Sequence, residues 1–408
     1  MPSTYSIAPE TSTQPSRKIS SDPVATLRFW GVRGSTPTVD KATWRYGGNT
    51  ACVELTTPAG ARIILDCGTG LRMLGRHLDG AQQPEKHEPH IFVTHYHWDH
   101  IQGIPFFSPL YAEQNRFHFY SFRSEYLGAG SLKRVFEAQM AYPYFPVDLK
   151  SMHARREFTE VSGGDEICVP GARVTAHWLD HPQGCLGFRF ETSAGTIVYA
   201  TDNEPGNPKL DKSLLDLAAG ADIFINDAQF SPELLATTRK GWGHSTWLEG
   251  VKIAASVGVK NLVLFHHDPD STDKSVDGIL REARGRFANV WAAAEGMVMT
   301  LGDKELDVVI PASREGLRRD AHFRARVNGL TDDGRSFEEE TVISDLTLQG
   351  ALIYLDHSPK LQSELQVLLD NPGIDGSVNS PLRLRGYVVR IEAQEDKERT
   401  AVGIVFTE

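Results

Sequence analysis

Thr94-His95-Tyr96-His97-Trp98-Asp99-His100 follows directly on the apolar run Ile91-Phe92-Val93. Three imidazoles and a carboxylate crowded at the end of a strand-like run predict a metal site. Side chains two apart on an extended segment point the same way, so His95 and His97 can grip one ion. Asp99 and His100 fall beyond the turn. There they can reach a second ion roughly 3.5–4 Å from the first, the spacing of two-metal hydrolytic sites.

Working outward, strand patterns alternate with helix patterns. Residues 50–66 read as two strands joined at Pro58-Ala59-Gly60, and 71–78 as a short helix. Apolar spacing predicts helices over 131–141 and 246–256, and Asn261–Phe265 reads as a buried strand. Such alternation suits a layered α/β fold with helices covering sheets.

Composition bounds the function. At 408 residues two domains are expected. The Ser/Thr/Pro-rich residues 1–25 hold no continuous apolar stretch, so they read as a disordered tail rather than a secretory signal. No run approaches the ~20 apolar residues that span a bilayer. The cysteines form no CxxC pair, which argues against a disulfide or zinc framework. A cytoplasmic protein is expected. The formal charge of −11 disfavours non-specific nucleic-acid binding, which needs clustered Lys and Arg.

The order HxHxDH resembles that of the metallo-β-lactamase superfamily. LRFWGVRGSTPT, YGGNTACVEL and ILDCGTGLRMLG ahead of it, and HIQGIPFFSPLY within and after it, extend the resemblance to the branch holding ribonuclease Z and the cyclic-phosphate phosphodiesterases. It covers roughly residues 26–303. The implied fold is an αββα sandwich, two packed sheets flanked by helices with the metals at one edge. The resemblance also implies the remaining ligands: His181 in WLDHPQGC, Asp202 in VYATDNE as a bridge between the ions, and His266 in LVLFHHDP. His267 is adjacent, and only one of the two can face the metals from an extended segment. The implied set is His95, His97 and His181 on one ion and Asp99, His100 and His266 on the other, with Asp202 between. Nitrogen and oxygen donors suit Zn²⁺, with Mn²⁺ and Fe²⁺ as alternatives. Asp66 in LDCGTG is expected to accept a ligand histidine's N–H, or else to be a core carboxylate capping the Gly-rich turn that follows it.

Two such ions lower the pKa of a shared water and neutralise charge gathering on the electrophile, chemistry from which phosphodiesters profit most. GWGHSTW resembles the GHST element of ribonuclease Z, which makes His244 the candidate general acid, with Asp227 of FINDAQF as its carboxylate partner. Asp99 completes the candidate catalytic group. His244 also stands next to Ser245, a cap-type residue at the start of the predicted helix. A β-lactam or thioester hydrolase shares the metals but not the GHST element. Phe117, Phe119, Tyr120, Phe122, Tyr142, Tyr144 and Phe145 are candidates for stacking on a nucleobase. No Gly/Pro/basic stretch matches the arm by which ribonuclease Z grips transfer RNA, which points to a small cyclic phosphate or nucleotide.

Residues 304–317, charged and broken by Pro311, read as a linker. Residues 318–408 resemble a PilZ barrel, the bacterial module that binds cyclic di-GMP, through LRRDAHFRARV, ISDLTLQGALI, LRGYVVRIE and TAVGIVF. The resemblance implies arginine forks from Arg318, Arg319 and Arg324 and a turn of Asp345, Thr347 and Gly350. Two departures stand out. Asp320 lies where RxxxR wants its first arginine, with Arg314 and Arg318 as an alternative spacing, and Thr347 replaces the usual Ser. The functional alternatives are thus a phosphodiesterase regulated by cyclic di-GMP, and a non-catalytic effector that keeps the fold for shape and docks a protein partner or a second copy of itself.

Overall fold

The computed structural model describes residues 23–80, 87–302, 306–310, 323–346, 350–372, 378–393 and 399–407. Residues 1–22 of the expected tail, most of the expected linker, and Arg314, Arg318, Arg319 and Thr347 lie outside them.

The chain divides into two compact units, residues 1–311 and 312–408. Among the described residues of the first, fifteen strands follow in order: β1 (Ala25–Gly31), β2 (Cys52–Thr56), β3 (Arg62–Leu65), β4 (His90–Phe92), β5 (Arg116–Ser121), β6 (Arg155–Glu160), β7 (Glu166–Val169), β8 (Ala172–Leu179), β9 (Cys185–Thr192), β10 (Gly195–Ala200), β11 (Ile223–Asp227), β12 (Asn261–Phe265), β13 (Val290–Ala292), β14 (Val298–Leu301) and β15 (Leu306–Val309). The helices are α1 (Gly70–Asp79), α2 (Trp98–Ile101), α3 (Ser131–Gln139), α4 (Pro208–Ala218), α5 (Pro232–Thr237), α6 (Trp247–Ser256) and α7 (Asp273–Arg284). One sheet runs β15-β14-β1-β2-β3-β4-β5-β6 and the other β13-β12-β11-β10-β9-β8-β7.

Each strand's pattern follows from what covers it. β1 alternates, with Ala25, Leu27 and Phe29 inward, as a strand with one face on the core should. β11 and β12 run parallel and are buried almost throughout, because sheet and helices cover both their faces. The sheets meet face to face over an aromatic core. Phe92 of β4 packs against Phe188 and Phe190 of β9, with ring centroids 5.2 and 5.5 Å apart. Outside the first sheet, Leu71, Leu74 and Leu78 of α1 join Leu132 and Phe136 of α3 over Ile64, Ile91, Phe117 and Phe119. Outside the second, Leu214, Leu217, Trp247 and Val251 of α4 and α6 cover Val198, Phe224 and Leu262. The αββα layering expected from the motifs is present.

Three expectations need correction. Residues 306–309 are not linker: β15 pairs antiparallel with β14, and Leu306 and Val308 pack on the inter-sheet core while Asp307 and Val309 turn outward. Flanking charges masked that two-residue alternation. Phe117, Phe119, Tyr120 and Phe122 are core residues rather than a stacking surface; only Tyr142 and Tyr144, 90% and 83% exposed, stand free of it. Helix α6 is capped by Thr246, whose side chain accepts from Glu249 N, and not by Ser245.

The second unit is a closed barrel of β16 (Phe323–Leu330), β17 (Ser336–Leu346), β18 (Gly350–Leu355), β19 (Glu364–Pro372), β20 (Val378–Ala393) and β21 (Thr400–Thr407), in the order β16-β17-β18-β21-β20-β19. Val327, Ile353, Leu365, Val367, Val388 and Val402 fill it. Of the ligand-binding residues implied for it, the backbone places Arg324 on β16, Asp345 on β17 and Gly350 at the start of β18.

Phe188 is fully buried between the sheets, so Phe188→Ala should cost about 3–5 kcal/mol of first-unit stability. A urea titration followed by tryptophan fluorescence reads this as a lowered midpoint at constant slope. A loss under about 1 kcal/mol would show that the two sheets do not share this core.

Candidate metal centre

All the candidate ligands leave the same end of their strands. Asp66 follows β3, His95 and His97 follow β4, His181 follows β8, Asp202 follows β10, Asp227 closes β11 and His266 follows β12. β3 and β4 are parallel, as are β10, β11 and β12. β8 runs with β10 because β9 lies antiparallel between them. The turns off β3, β10 and β12 are sharp, with Asp66, Asp202 and His266 left-handed. Of the six non-glycine residues with positive φ among the described residues, Ser35, Asp66, Gln183, Asp202 and His266, at 58°, 60°, 69°, 56° and 59°, belong to the site or touch it. Left-handed backbone costs a non-glycine residue roughly 1–3 kcal/mol, and here it aims side chains that a straight exit would throw outward.

Two triads result. Donor atoms of His95, His97 and His181 lie within 4.8 Å of one another, and so do those of Asp99, His100 and His266. Asp202 stands between them. Its Oδ1 is 3.8 and 3.9 Å from Nε2 of His95 and His181, and its Oδ2 is 3.3 and 3.4 Å from Nε2 of His100 and His266. One oxygen faces each triad, the disposition of a bridging carboxylate.

The outer hydrogen bonds decide what the inner nitrogens can do. His181 Nδ1 donates to Gly243 O at 2.7 Å and His100 Nδ1 to Asp66 Oδ2 at 2.8 Å. His266 Nδ1 pairs with Gln229 Oε1 at 2.9 Å and His97 Nε2 with Gln183 Oε1 at 3.1 Å. A ring that donates outward as a neutral imidazole presents a bare lone pair inward. Those lone pairs face each other, His97 Nδ1 to His181 Nε2 at 3.0 Å and His100 Nε2 to His266 Nε2 at 3.2 Å. His95 Nε2 is buried with no hydrogen-bond partner at all. A cation at each centre would resolve that arrangement, and the donors fit a divalent metal of the zinc type. The centre draws positive charge: burial disfavours charge on His100, yet Asp99, Asp202 and Asp66 overcome it and hold the ring well above the usual imidazole range. Burial likewise opposes charge on Asp99 and Asp202, and the surrounding imidazoles still keep both well below the usual carboxylate range.

Sequence comparison bears on the same residues. The model of the β-lactamase superfamily domain matches residues 61–267. The chain belongs to the β-lactamase superfamily. Ribonuclease Z of Archaeoglobus fulgidus is 24% identical over 328 residues, which span 66% of this chain and 96% of the relative. Ribonuclease BN of Escherichia coli is 23% identical, across 55% of this chain and 84% of its own length. Among solved structures, a diphosphatase from the PhnP family superposes with a TM-score of 0.50 at 20% identity, covering 68% of this chain and 98% of that one. The protein is a metal-dependent hydrolase of the metallo-β-lactamase fold.

Of the two adjacent histidines in this superfamily member, His266 faces the centre, with Nε2 3.1 Å from Asp99 Oδ2. His267 turns away to donate to Ala293 O and packs edge-on against Tyr46. Asp66 accepts from His100, Tyr199 Oη and Thr94 N, a fully buried carboxylate with every approach filled. His244 Nδ1 donates to Asp227 Oδ2 at 2.9 Å, and Asp227 also accepts from Ser245 N and Gln229 N. Burial opposes the charged form of His244, but Asp227, aided by Asp202 and Asp99, raises it to about 9. Among the described residues no helix is long and apolar enough to cross a membrane.

Sequence reasoning missed several residues that hold the ligands. Ser35 N donates to Asp99 Oδ2 at 2.7 Å, and Gln183 and Gln229 fix two imidazoles. Glu204 accepts from Gly241 N and Gly243 N and so sets the loop whose carbonyl holds His181. Gly243 must be glycine, because its φ is +86° and a Cβ would come within 2.2 Å of His181 Nδ1. Ser35 lay inside GVRGSTPT and Gly243 inside GWGHSTW; the two glutamines carried no local signal.

Protein purified without chelator should carry close to two metal ions per chain by elemental analysis. His97→Ala should abolish hydrolysis while leaving the circular-dichroism spectrum and melting transition in place. Full activity in that variant would remove His97 from the centre.

Proposed function

We propose that the centre is a dinuclear site, held by His95, His97 and His181 on one side, Asp99, His100 and His266 on the other and Asp202 between, and that it hydrolyses a small phosphodiester such as a cyclic phosphate or nucleotide. The facing lone pairs carry this reading. A metal pair held by these residues would acidify a bound water and offset charge on the phosphoryl group. The protein's own residues do the rest. Asp66, Gly243, Gln183 and Gln229 orient the imidazoles, and Ser35 orients Asp99. His244 is the general acid: it holds its proton through Nδ1 against Asp227, leaving Nε2 to give one to the departing alkoxide. Positive charge bound at Asp202 would draw its pKa from about 9 toward neutrality, where proton transfer in both directions is efficient. The relatives named ribonucleases support phosphodiester chemistry, and the net charge of −11 favours a small substrate over a long nucleic acid.

His244→Ala should slow a diester with a poor alkoxide leaving group at least tenfold more than a nitrophenyl diester, since a good leaving group needs little protonation. Steady-state rates on the two substrates decide it; equal losses would make His244 a binding or structural residue.

The C-terminal barrel is read as a PilZ-like module through which cyclic di-GMP regulates the hydrolase. Its register supports this reading: Phe323 pairs with Ile343 and Arg324 with Val342, so Arg324 and Asp345 lie on adjacent strands near the same end. Titration calorimetry of the full chain with cyclic di-GMP should give saturable heat, and Arg324→Ala should weaken binding roughly tenfold to a hundredfold. No heat at high micromolar protein would leave the metal site acting alone.

A further inference from the structure

Four of the five candidate ligand imidazoles are held by the outer partners described above. The fifth, His95, is the buried ring at the middle of the cluster. Its centroid lies 4.5 and 4.6 Å from those of His97 and His181 in its own triad, and 4.2 Å from that of His100 in the other. A rotation of this one ring would therefore disturb both centres. No distant carbonyl or glutamine holds it. Its Nδ1 instead meets Oγ1 of Thr94, the residue before it, at 3.0 Å.

The direction of that hydrogen bond follows from what stands behind Thr94. Its Oγ1 is 3.0 Å from each oxygen of Asp66, and its backbone N donates to Asp66 Oδ1 at 2.8 Å. Asp66 also takes His100 Nδ1 and Tyr199 Oη on Oδ2, so donors surround it and it serves as acceptor alone. A hydroxyl has one proton to give and lone pairs with which to receive. A carboxylate is the stronger acceptor, so the Thr94 proton goes to Asp66 and a lone pair is left toward His95. Nδ1 must then donate, and Nε2 is left bare. That nitrogen faces Asp202 Oδ1 at 3.8 Å and is the buried atom without a hydrogen-bond partner. Cys185 Sγ, 3.9 Å from Nδ1, is only a weak acceptor, and it donates to Thr201 O at 3.6 Å.

We propose, resting on the dinuclear reading above, that Thr94 is a positioning residue whose hydroxyl relays Asp66 to His95. One buried carboxylate then sets the inward nitrogens of both triads, His100 directly and His95 through Thr94. The left-handed turn at Asp66, with φ 60°, serves both centres at once, because it brings the carboxylate beneath Thr94 as well as beside His100. Outer partners of this kind act on metal affinity through the orientation and tautomer of the ligand ring.

The test is competition of the full-length, zinc-loaded protein with a graded chromophoric chelator, which reads the affinity of each ion without any turnover. Thr94→Val keeps the shape of the side chain and removes the hydroxyl. It should weaken one of the two ions roughly tenfold to a hundredfold and leave the other unchanged. Thr94→Ser should restore wild-type binding, a rescue that a packing role for the methyl group would not give. Asp66→Asn should weaken both ions. Two ions held by Thr94→Val as tightly as by the wild type, or a loss in Thr94→Ser equal to that in Thr94→Val, overturns the relay and leaves the dinuclear reading standing. Wild-type protein that binds no zinc overturns the two together. If Thr94→Val fails to fold, Thr94→Ala takes its place in the same comparison with Thr94→Ser, with the same outcomes deciding.

Discussion

Bare imidazole lone pairs facing one another at 3.0 and 3.2 Å are the constraint from which the rest of the first unit follows. Two such pairs repel unless a cation or a proton lies between them, and the fold fixes the rings through outer hydrogen bonds to Asp66, Gly243 O, Gln183 and Gln229. Asp66 and Gly243 O accept and nothing more, so His100 and His181 have one tautomer available as neutral rings. The cluster is therefore committed to positive charge before any ligand arrives. Asp202, with one oxygen toward each triad, ties the two centres into one.

That commitment has a structural cost, and its location is informative. Left-handed backbone at Ser35, Asp66, Gln183, Asp202 and His266 gathers where strands end at the metal cluster. Each of these residues would be more relaxed in a straight exit from its strand. The rigid aromatic core between the sheets, with Phe92, Phe188 and Phe190 interleaved, supplies the surroundings that hold them there. Packing and chemistry are thus coupled. The core fixes where the strands stop, and the stopping points fix the donors.

The same division separates His244 from the ligands. It reaches the cluster from the loop before α6 and bonds to Asp227 at the end of β11, so it lies beside Asp202 with Nδ1 3.6 Å from Oδ1. A group whose Nδ1 is occupied by a carboxylate can exchange protons at Nε2 without leaving its place. Glu204, two residues past Asp202, holds the neighbouring turn and links the Asp202 segment to the His244 loop.

The layered α/β class and the HxHxDH residues His95, His97, Asp99 and His100 rest on short-range patterns in the chain, whereas His181, Asp202 and His266 were named as candidates through the resemblance to the metallo-β-lactamase superfamily. Asp66 was expected to support a ligand histidine or to cap the Gly-rich turn after it, and Asp227 was paired with His244 through the GHST resemblance. What the chain alone left open was decided by contacts between residues far apart in sequence. His266 and not His267 faces the centre because the turn after β12 is left-handed. Gln183 and Gln229 fix imidazoles 86 and 37 residues away, and nothing local marks them. The aromatics from Phe117 to Phe122 are core because β5 lies inside its sheet, and residues 306–309 are a strand because β14 offers an unpaired edge to them. Local sequence sets which atoms are available and which way a strand presents them; only the packed sheets determine which of those atoms meet.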